Sequence, residues 1–270
     1  MKSILSIKNL TVRFHALQAV SKLEMEVEPG TIRGLIGPNG AGKTTVFNAI
    51  SGFLRPSEGN ISFLGREISR LKPHEITSLG IARTFQNIRL FGDLSVLENV
   101  MIGFHIRFDS LFWQAILHLP GYRNKEREVH EMALVLLERT GLLGLANERA
   151  SSLPYGLQRR LEIARAIATR PKLLLLDEPA AGMNTSEKED LMRFIKKVRD
   201  RLNLTILLIE HDMRLVMEIC DGITVLEYGE KIAEGRPDDI RSNQRVIEAY
   251  LGEKASDNED SCLGIMGEAN

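Results

Sequence analysis

Between residues 4 and 36 the chain carries three strand-like runs. In the second, KLEMEV, Leu23, Met25 and Val27 alternate with polar residues, the period of two expected of a strand with one buried face. The third, TIRGLIG, runs into a glycine-rich stretch, so a strand there delivers the chain into a loop. Strand character returns in NISFLG (60–65) and GIARTFQ (80–86) and is then missing until residue 172, a gap too long for a loop in a compact domain. Within that gap Val129, Met132, Ala133, Leu136 and Leu137 keep helical spacing and Gly141 supplies a stop, which predicts a helical insertion.

Beyond the insertion, KLLLLD (172–177) and TILLIE (205–210) are short, unbroken apolar runs, the pattern of parallel strands buried on both faces. The helix predicted between them carries Leu191, Phe194, Ile195 and Val198 on one stripe, with Lys196, Lys197 and Arg199 off it as an expected solvated face. GITVLEYG and EKIAEG supply two closing strands, and the polar stretch from Lys254 to Asn270 is expected to be a disordered tail. The apolar segment SLFWQAILHLP (110–120) either packs on its own domain or lies on a partner; it is shorter than the roughly 20 residues needed to cross a bilayer.

Composition narrows the function classes. The 270 residues are 43% hydrophobic and 26% charged, as in an ordinary globular protein. With 35 basic and 36 acidic residues the formal charge is -1, which provides no overall field to recruit nucleic acid. Cys220 and Cys262 are too few and too far apart for a disulfide framework or a metal cluster. The start MKSILSIKNLTVRF reads as alternating strand, not as a signal peptide, so a cytosolic protein is expected.

Chemistry concentrates in two places. GPNGAGKT, Gly37, Pro38, Asn39, Gly40, Ala41, Gly42, Lys43 and Thr44, has the P-loop pattern and stands where that motif must, after a strand and before the helix-like TTVFNAISG that opens with Thr45. Its glycines let successive backbone N–H groups turn toward a phosphate chain, and the helix start adds roughly half a positive charge. Lys43 is placed for the β- and γ-phosphates of ATP and Thr44 for Mg²⁺. Farther on, LLLLDEP ends a buried strand with adjacent carboxylates: Asp177 suits Mg²⁺, and Glu178, facing differently, suits a base for the attacking water.

These segments, with RTFQNIRLF (83–91), YGLQRRLEIARA, LLLLDEPAAGMN, LLIEHDMRLVMEICD and VIEAYLGE, resemble the nucleotide-binding subunits of ATP-binding-cassette (ABC) transporters over roughly residues 4–252, most closely the ATPase of branched-chain amino acid importers. The resemblance implies an α/β P-loop core with a mixed sheet, an antiparallel β subdomain and a helical subdomain at about 87–170, together an ATP-binding domain over 1–253. It also implies that Gln86 touches Mg²⁺ or the attacking water and that His211 contacts the γ-phosphate. Phe14 falls where the family stacks an aromatic ring on adenine, although an amphipathic strand also uses Phe for its core.

The resemblance further implies a dimer in which the signature loop, here Leu153, Pro154, Tyr155, Gly156 and Leu157, aims a helix N-terminus at ATP held by the second subunit. It departs from the family's Leu-Ser-Gly-Gly-Gln at Pro154, Tyr155 and Leu157, and Asn184 stands where Asp is usual. Pro154 and Leu157 cannot donate the hydrogen bonds of Ser and Gln, which predicts a heterodimer with one weaker ATP site. The expected function is ATP hydrolysis at the cytoplasmic face of the inner (plasma) membrane, peripherally bound to two permease subunits and served indirectly by a substrate-binding protein. A urea, amide or lipopolysaccharide system, or a soluble ABC ATPase, is the alternative. The arginines of YGLQRRLEIARA are expected in ion pairs and on the surface, not on nucleic acid.

Overall fold

The computed structural model describes residues 3–105 and 121–250. The 110–120 segment, the tail from Lys254 and Cys262 lie outside the described residues. Two sheets organise the chain. Strands β1 (Leu5–Phe14), β2 (Leu17–Val27), β4 (Glu58–Phe63) and β5 (Arg66–Glu67) form an antiparallel sheet in the order β2-β1-β4-β5. Strands β3 (Ile32–Ile36), β6 (Ile81–Arg83), β7 (Leu173–Asp177), β8 (Thr205–Ile209), β9 (Gly222–Glu227) and β10 (Glu230–Gly235) form the second sheet, in the order β10-β9-β3-β8-β7-β6. That sheet is mixed, because β10 alone pairs antiparallel.

The unbroken apolar runs are explained by burial on both sides. Leu173 and Leu175 of β7, with Leu207 and Ile209 of β8, join the core beneath the antiparallel sheet and helix α1 (Lys43–Ile50). The alternate residues Leu174, Leu176, Ile206 and Leu208 join the core shared with the helices on the other face. Each strand therefore has no polar face to show. Along β2 the alternation holds as well, with Leu23, Met25 and Val27 all buried.

The insertion is helical: α3 (Val96–His105), α4 (Gly121–Thr140) and α5 (Tyr155–Ala168) pack on one another, after the short α2 (Pro73–Leu79) that leads into β6. Val129, Ala133, Leu136 and Leu137 face inward from α4, and the chain leaves that helix at Gly141, whose φ of 75° a residue with a Cβ adopts only with strain. On α6 (Thr185–Leu202) the predicted stripe is buried, but its basic residues are not simply solvated. Lys196 donates to the Glu218 carbonyl at 2.6 Å, and the half-buried Arg199 pairs with Asp221 at 2.9 Å, so both tie α6 to the end of α7 (Met213–Ile219) and the turn into β9. The chain then runs through α8 (Pro237–Arg241) and a last helical segment over 244–250. No described helix is long and apolar enough to cross a membrane.

Candidate functional site at the carboxyl ends of the parallel strands

Parallel strands β3, β6, β7 and β8 all deliver their C-termini to one edge of the sheet, where an open α/β fold collects loops able to hold a ligand. From β3 the chain enters Gly37–Gly42. A Cβ at Gly37 would lie 2.0 Å from the Leu226 carbonyl oxygen and one at Gly42 2.5 Å from that of Ala19, so the loop is threaded against β9 and β2 by residues that have none. Helix α1 then starts from Gly42 with no side-chain cap, which leaves its N-terminal dipole for an anion. Lys43 is buried and donates to the carbonyls of Gly37 and Pro38 at 2.6 and 2.8 Å, while Thr44 is exposed and Thr45 half-buried.

The β7 terminus splits its two carboxylates, as adjacent residues at a strand end must. Asp177 turns inward to Arg83, the last residue of β6, with Nη2 to Oδ2 at 2.8 Å and both side chains 8% exposed. The other guanidinium nitrogen of Arg83 donates to Asn48 and Ser51 on and after α1, at 2.8 and 2.9 Å. Glu178 takes the opposite course: its backbone adopts φ 43°, in the left-handed region, while its N–H donates to the Ile209 carbonyl of β8. That twist aims the carboxylate into the cleft, where Oε2 accepts a 3.0 Å hydrogen bond from Gln86 Nε2 and lies 3.8 Å from His211 Nδ1.

Gln86, Glu178 and His211, separated widely in sequence, therefore meet around one carboxylate oxygen. Gln86 does not sit in a strand. The strand predicted over 80–86 stops at Arg83, because the carbonyls of Phe85 and Gln86 are held by the side chain of Arg159 and not by a neighbouring strand. A fourth group carries no signal in the sequence. Glu210, at the end of β8, is buried; its Oε1 accepts from the Ala180 N–H at 2.9 Å and its Oε2 lies 3.9 Å from His211. Burial is the main cause that pushes its carboxyl above the usual range, against the Ala180 hydrogen bond.

The residues of the predicted signature lie at the start of α5. That helix begins at Tyr155, one residue after its N-cap Pro154, so Tyr155 and Gly156 belong to its first turn and not to a loop before it. Leu153 is buried and its carbonyl accepts from Gln158; Leu157 packs on the core; the space beside Gly156 is open. The exposed Tyr155 donates through its hydroxyl to the Ala181 carbonyl at 3.2 Å, which joins this segment to residues 180–184 of its own chain. Asn184 caps α6 by accepting from the Glu187 N–H at 3.0 Å. Phe14, 44% exposed at the β1–β2 turn, is not part of the core.

The donor set fits a nucleotide and a hard divalent cation: an uncapped helix start, one buried ammonium, an exposed hydroxyl at Thr44 and a carboxylate at Asp177. A model of the ABC transporter family matches residues 20–181. This chain belongs to that family. A second model, for the branched-chain amino acid ATP-binding cassette transporter, matches residues 230–256 of the cassette. The chain is 48% identical over 252 residues to the high-affinity branched-chain amino acid transport ATP-binding protein BraF of Pseudomonas aeruginosa, covering 93% of this chain and 99% of that one. LivG of Escherichia coli, which carries the same description, is 46% identical over 250 residues, with 93% and 98% covered. Among solved structures, an ATP-binding cassette of an ABC transporter in its ADP conformation superposes with a TM-score of 0.81 at 32% identity, over 93% of this chain and all of that one. A dimeric cassette in a post-hydrolysis state bound to ADP and Pi gives 0.70 at 25% identity, over 86% and 98%.

Proposed function

We propose that this ABC ATPase hydrolyses ATP to ADP and phosphate to drive a membrane importer of branched-chain amino acids. The meeting of Gln86, Glu178 and His211 at one carboxylate oxygen beside the P-loop carries the catalytic reading; the BraF and LivG relatives support the cargo. Gly37–Thr45 cradle the phosphates, with Lys43 as their point charge and Phe14 as the exposed ring for adenine. Thr44 and Asp177, with Gln86 at the edge, would hold Mg²⁺, which when bound neutralises charge across the β- and γ-phosphates. Glu178 takes the proton of the attacking water. Gln86 donates to the same carboxylate and so orients it, and the exposed His211 stands ready for the γ-phosphate.

The working unit is a dimer of cassettes, each presenting Leu153–Leu157 to its partner's ATP; the dimeric structural neighbour bound to ADP and Pi supports it. Helices α3 to α5 form the helical subdomain. The groove bounded by Phe85, Arg89, Phe91 and Arg165 receives a short helix of a permease subunit, which keeps the protein peripheral at the cytoplasmic face of the membrane. The test is Glu178→Gln. ATP binding is retained while turnover falls by about 10² to 10⁴, since the phosphate cradle survives and only the base is lost. Near-normal turnover would remove Glu178 from that role. For the cargo, deletion of the gene abolishes uptake of leucine, isoleucine and valine; loss of urea or amide uptake instead would reassign it.

A further inference from the structure

The arginines of YGLQRRLEIARA do more than pair charges. Arg159 is fully buried, an uncommon state for an arginine, and its hydrogen bonds go to another element. Nη1 donates to the Phe85 carbonyl at 2.7 Å and Nη2 to the Gln86 carbonyl at 2.6 Å. Its charge is met three residues on by Glu162, also buried, at 2.7 Å. The second oxygen of Glu162 accepts from the backbone N–H of Arg89 at 3.2 Å. Three residues further along α5, Arg165 donates to the Arg89 carbonyl and lies over the Phe91 ring.

Positions 159, 162 and 165 thus lie on one stripe of α5, and each holds backbone atoms of residues 85–89. One further ladder bond, from the Thr84 N–H to the Leu175 carbonyl at 3.0 Å, continues β6 past Arg83; beyond it this set takes over the backbone. Gln86, whose carbonyl is held and whose side chain projects to Glu178, sits at the gripped end of the segment.

We propose that Arg159, Glu162 and Arg165 form a three-point clamp on residues 85–89, and that Arg159 is a positioning residue that holds Gln86 against Glu178 for hydrolysis. The proposal rests on the hydrolytic reading of Gln86 and Glu178 given above. Arginine is required at 159 because two consecutive carbonyls need a planar fork; an ammonium keeps the charge opposite Glu162 and cannot span both. The same guanidinium lies 3.4 Å from the Tyr155 hydroxyl, itself bonded to Ala181, so the clamp also reaches the start of α5 and the loop after Glu178.

The test is a double-mutant cycle on the full-length protein, with kcat, KM for ATP and backbone amide exchange measured for each variant. Arg159→Lys lowers kcat by about tenfold with KM unchanged, as expected when one charge-assisted hydrogen bond is lost and the Gln86 placement it holds matters only in the transition state. In a Gln86→Ala background the same substitution costs nothing more. Without nucleotide, amides across 85–89 exchange faster in Arg159→Lys. Arg165→Met, half exposed and leaving the Arg159–Glu162 pair in place, gives a smaller loss of the same kind and keeps the test open should Arg159→Lys fold poorly. A kcat loss that persists undiminished in the Gln86→Ala background, or unchanged exchange at 85–89, would overturn the clamp. Normal kcat in Gln86→Ala alone would instead overturn the hydrolytic reading on which the clamp depends.

Discussion

Replacing Arg83 by Met removes the ion-pair partner of a buried carboxylate while keeping an apolar side chain in its place. Arg83 and Asp177 bridge at 2.8 Å with side chains 8% exposed, so water replaces the lost guanidinium poorly. Breaking a buried pair from one side costs about 3 to 5 kcal/mol, because the remaining charge stays desolvated. Arg83 also donates to Asn48 and Ser51 and lies 5.3 to 5.9 Å from the ring centres of Phe47, Phe53 and Phe85. The value expected is therefore toward the upper end of that range, a large share of a typical folding free energy of about 5 to 15 kcal/mol. Urea denaturation followed by far-UV circular dichroism measures it, as a fall in midpoint of about 1 to 2 M. Asp177→Asn added to Arg83→Met restores part of the loss, since no unpaired charge then remains. A cost below about 1 kcal/mol, the worth of a surface pair, would show that the bridge is not desolvated and would refute the reasoning.

The other predictions are shorter. Lys43→Ala weakens ATP binding itself, because it deletes the buried ammonium at the P-loop and its bonds to Gly37 and Pro38; equilibrium titration with nucleotide measures this, and unchanged affinity contradicts the assignment. Glu210→Gln stabilises the fold at high pH: a carboxyl raised by burial contributes stability that is present below its unfolded value and lost as pH rises through its folded one. The gain over the parent protein should accordingly be larger at pH 8 than at pH 4, and a pH-independent difference counts against it. In a Cys262→Ser background a thiol reagent leaves Cys220 untouched at pH 8 until the protein unfolds, since burial pushes that thiol to about 12; prompt labelling of the native protein contradicts this.

Much of the fold is legible in the sequence because its signals are local. The apolar runs of β7 and β8 and the glycine loop before α1 each declare themselves within a few residues, and Lys43, Asp177 and Glu178 follow from spacing and strand ends. Gln86 and His211 need resemblance to a family, since a lone amide or imidazole after a strand carries no pattern. The hidden part is tertiary. A charge within the apolar run GIARTF marks Arg83, but only the packing of β6 beside β7 gives it Asp177. Glu210 directly follows its strand as Glu178 does, yet nothing local distinguishes a buried acid from a helix start. The spacing of Arg159, Glu162 and Arg165 is visible, while their partners, far back in the sequence, are not.

Glu178 bears a consequence for selection. A side chain held at φ 43° costs about 1 kcal/mol over glycine, for which that conformation is free. The same twist turns the carboxylate out of line with Asp177 and toward Gln86. At this position robustness and turnover therefore pull in opposite directions: Glu178→Gly relaxes the backbone and discards the base in one step. A library sorted only for heat resistance would enrich glycine there and return well-folded, inert cassettes, whereas sorting for growth on the transported cargo would keep the acid at the expense of the scaffold.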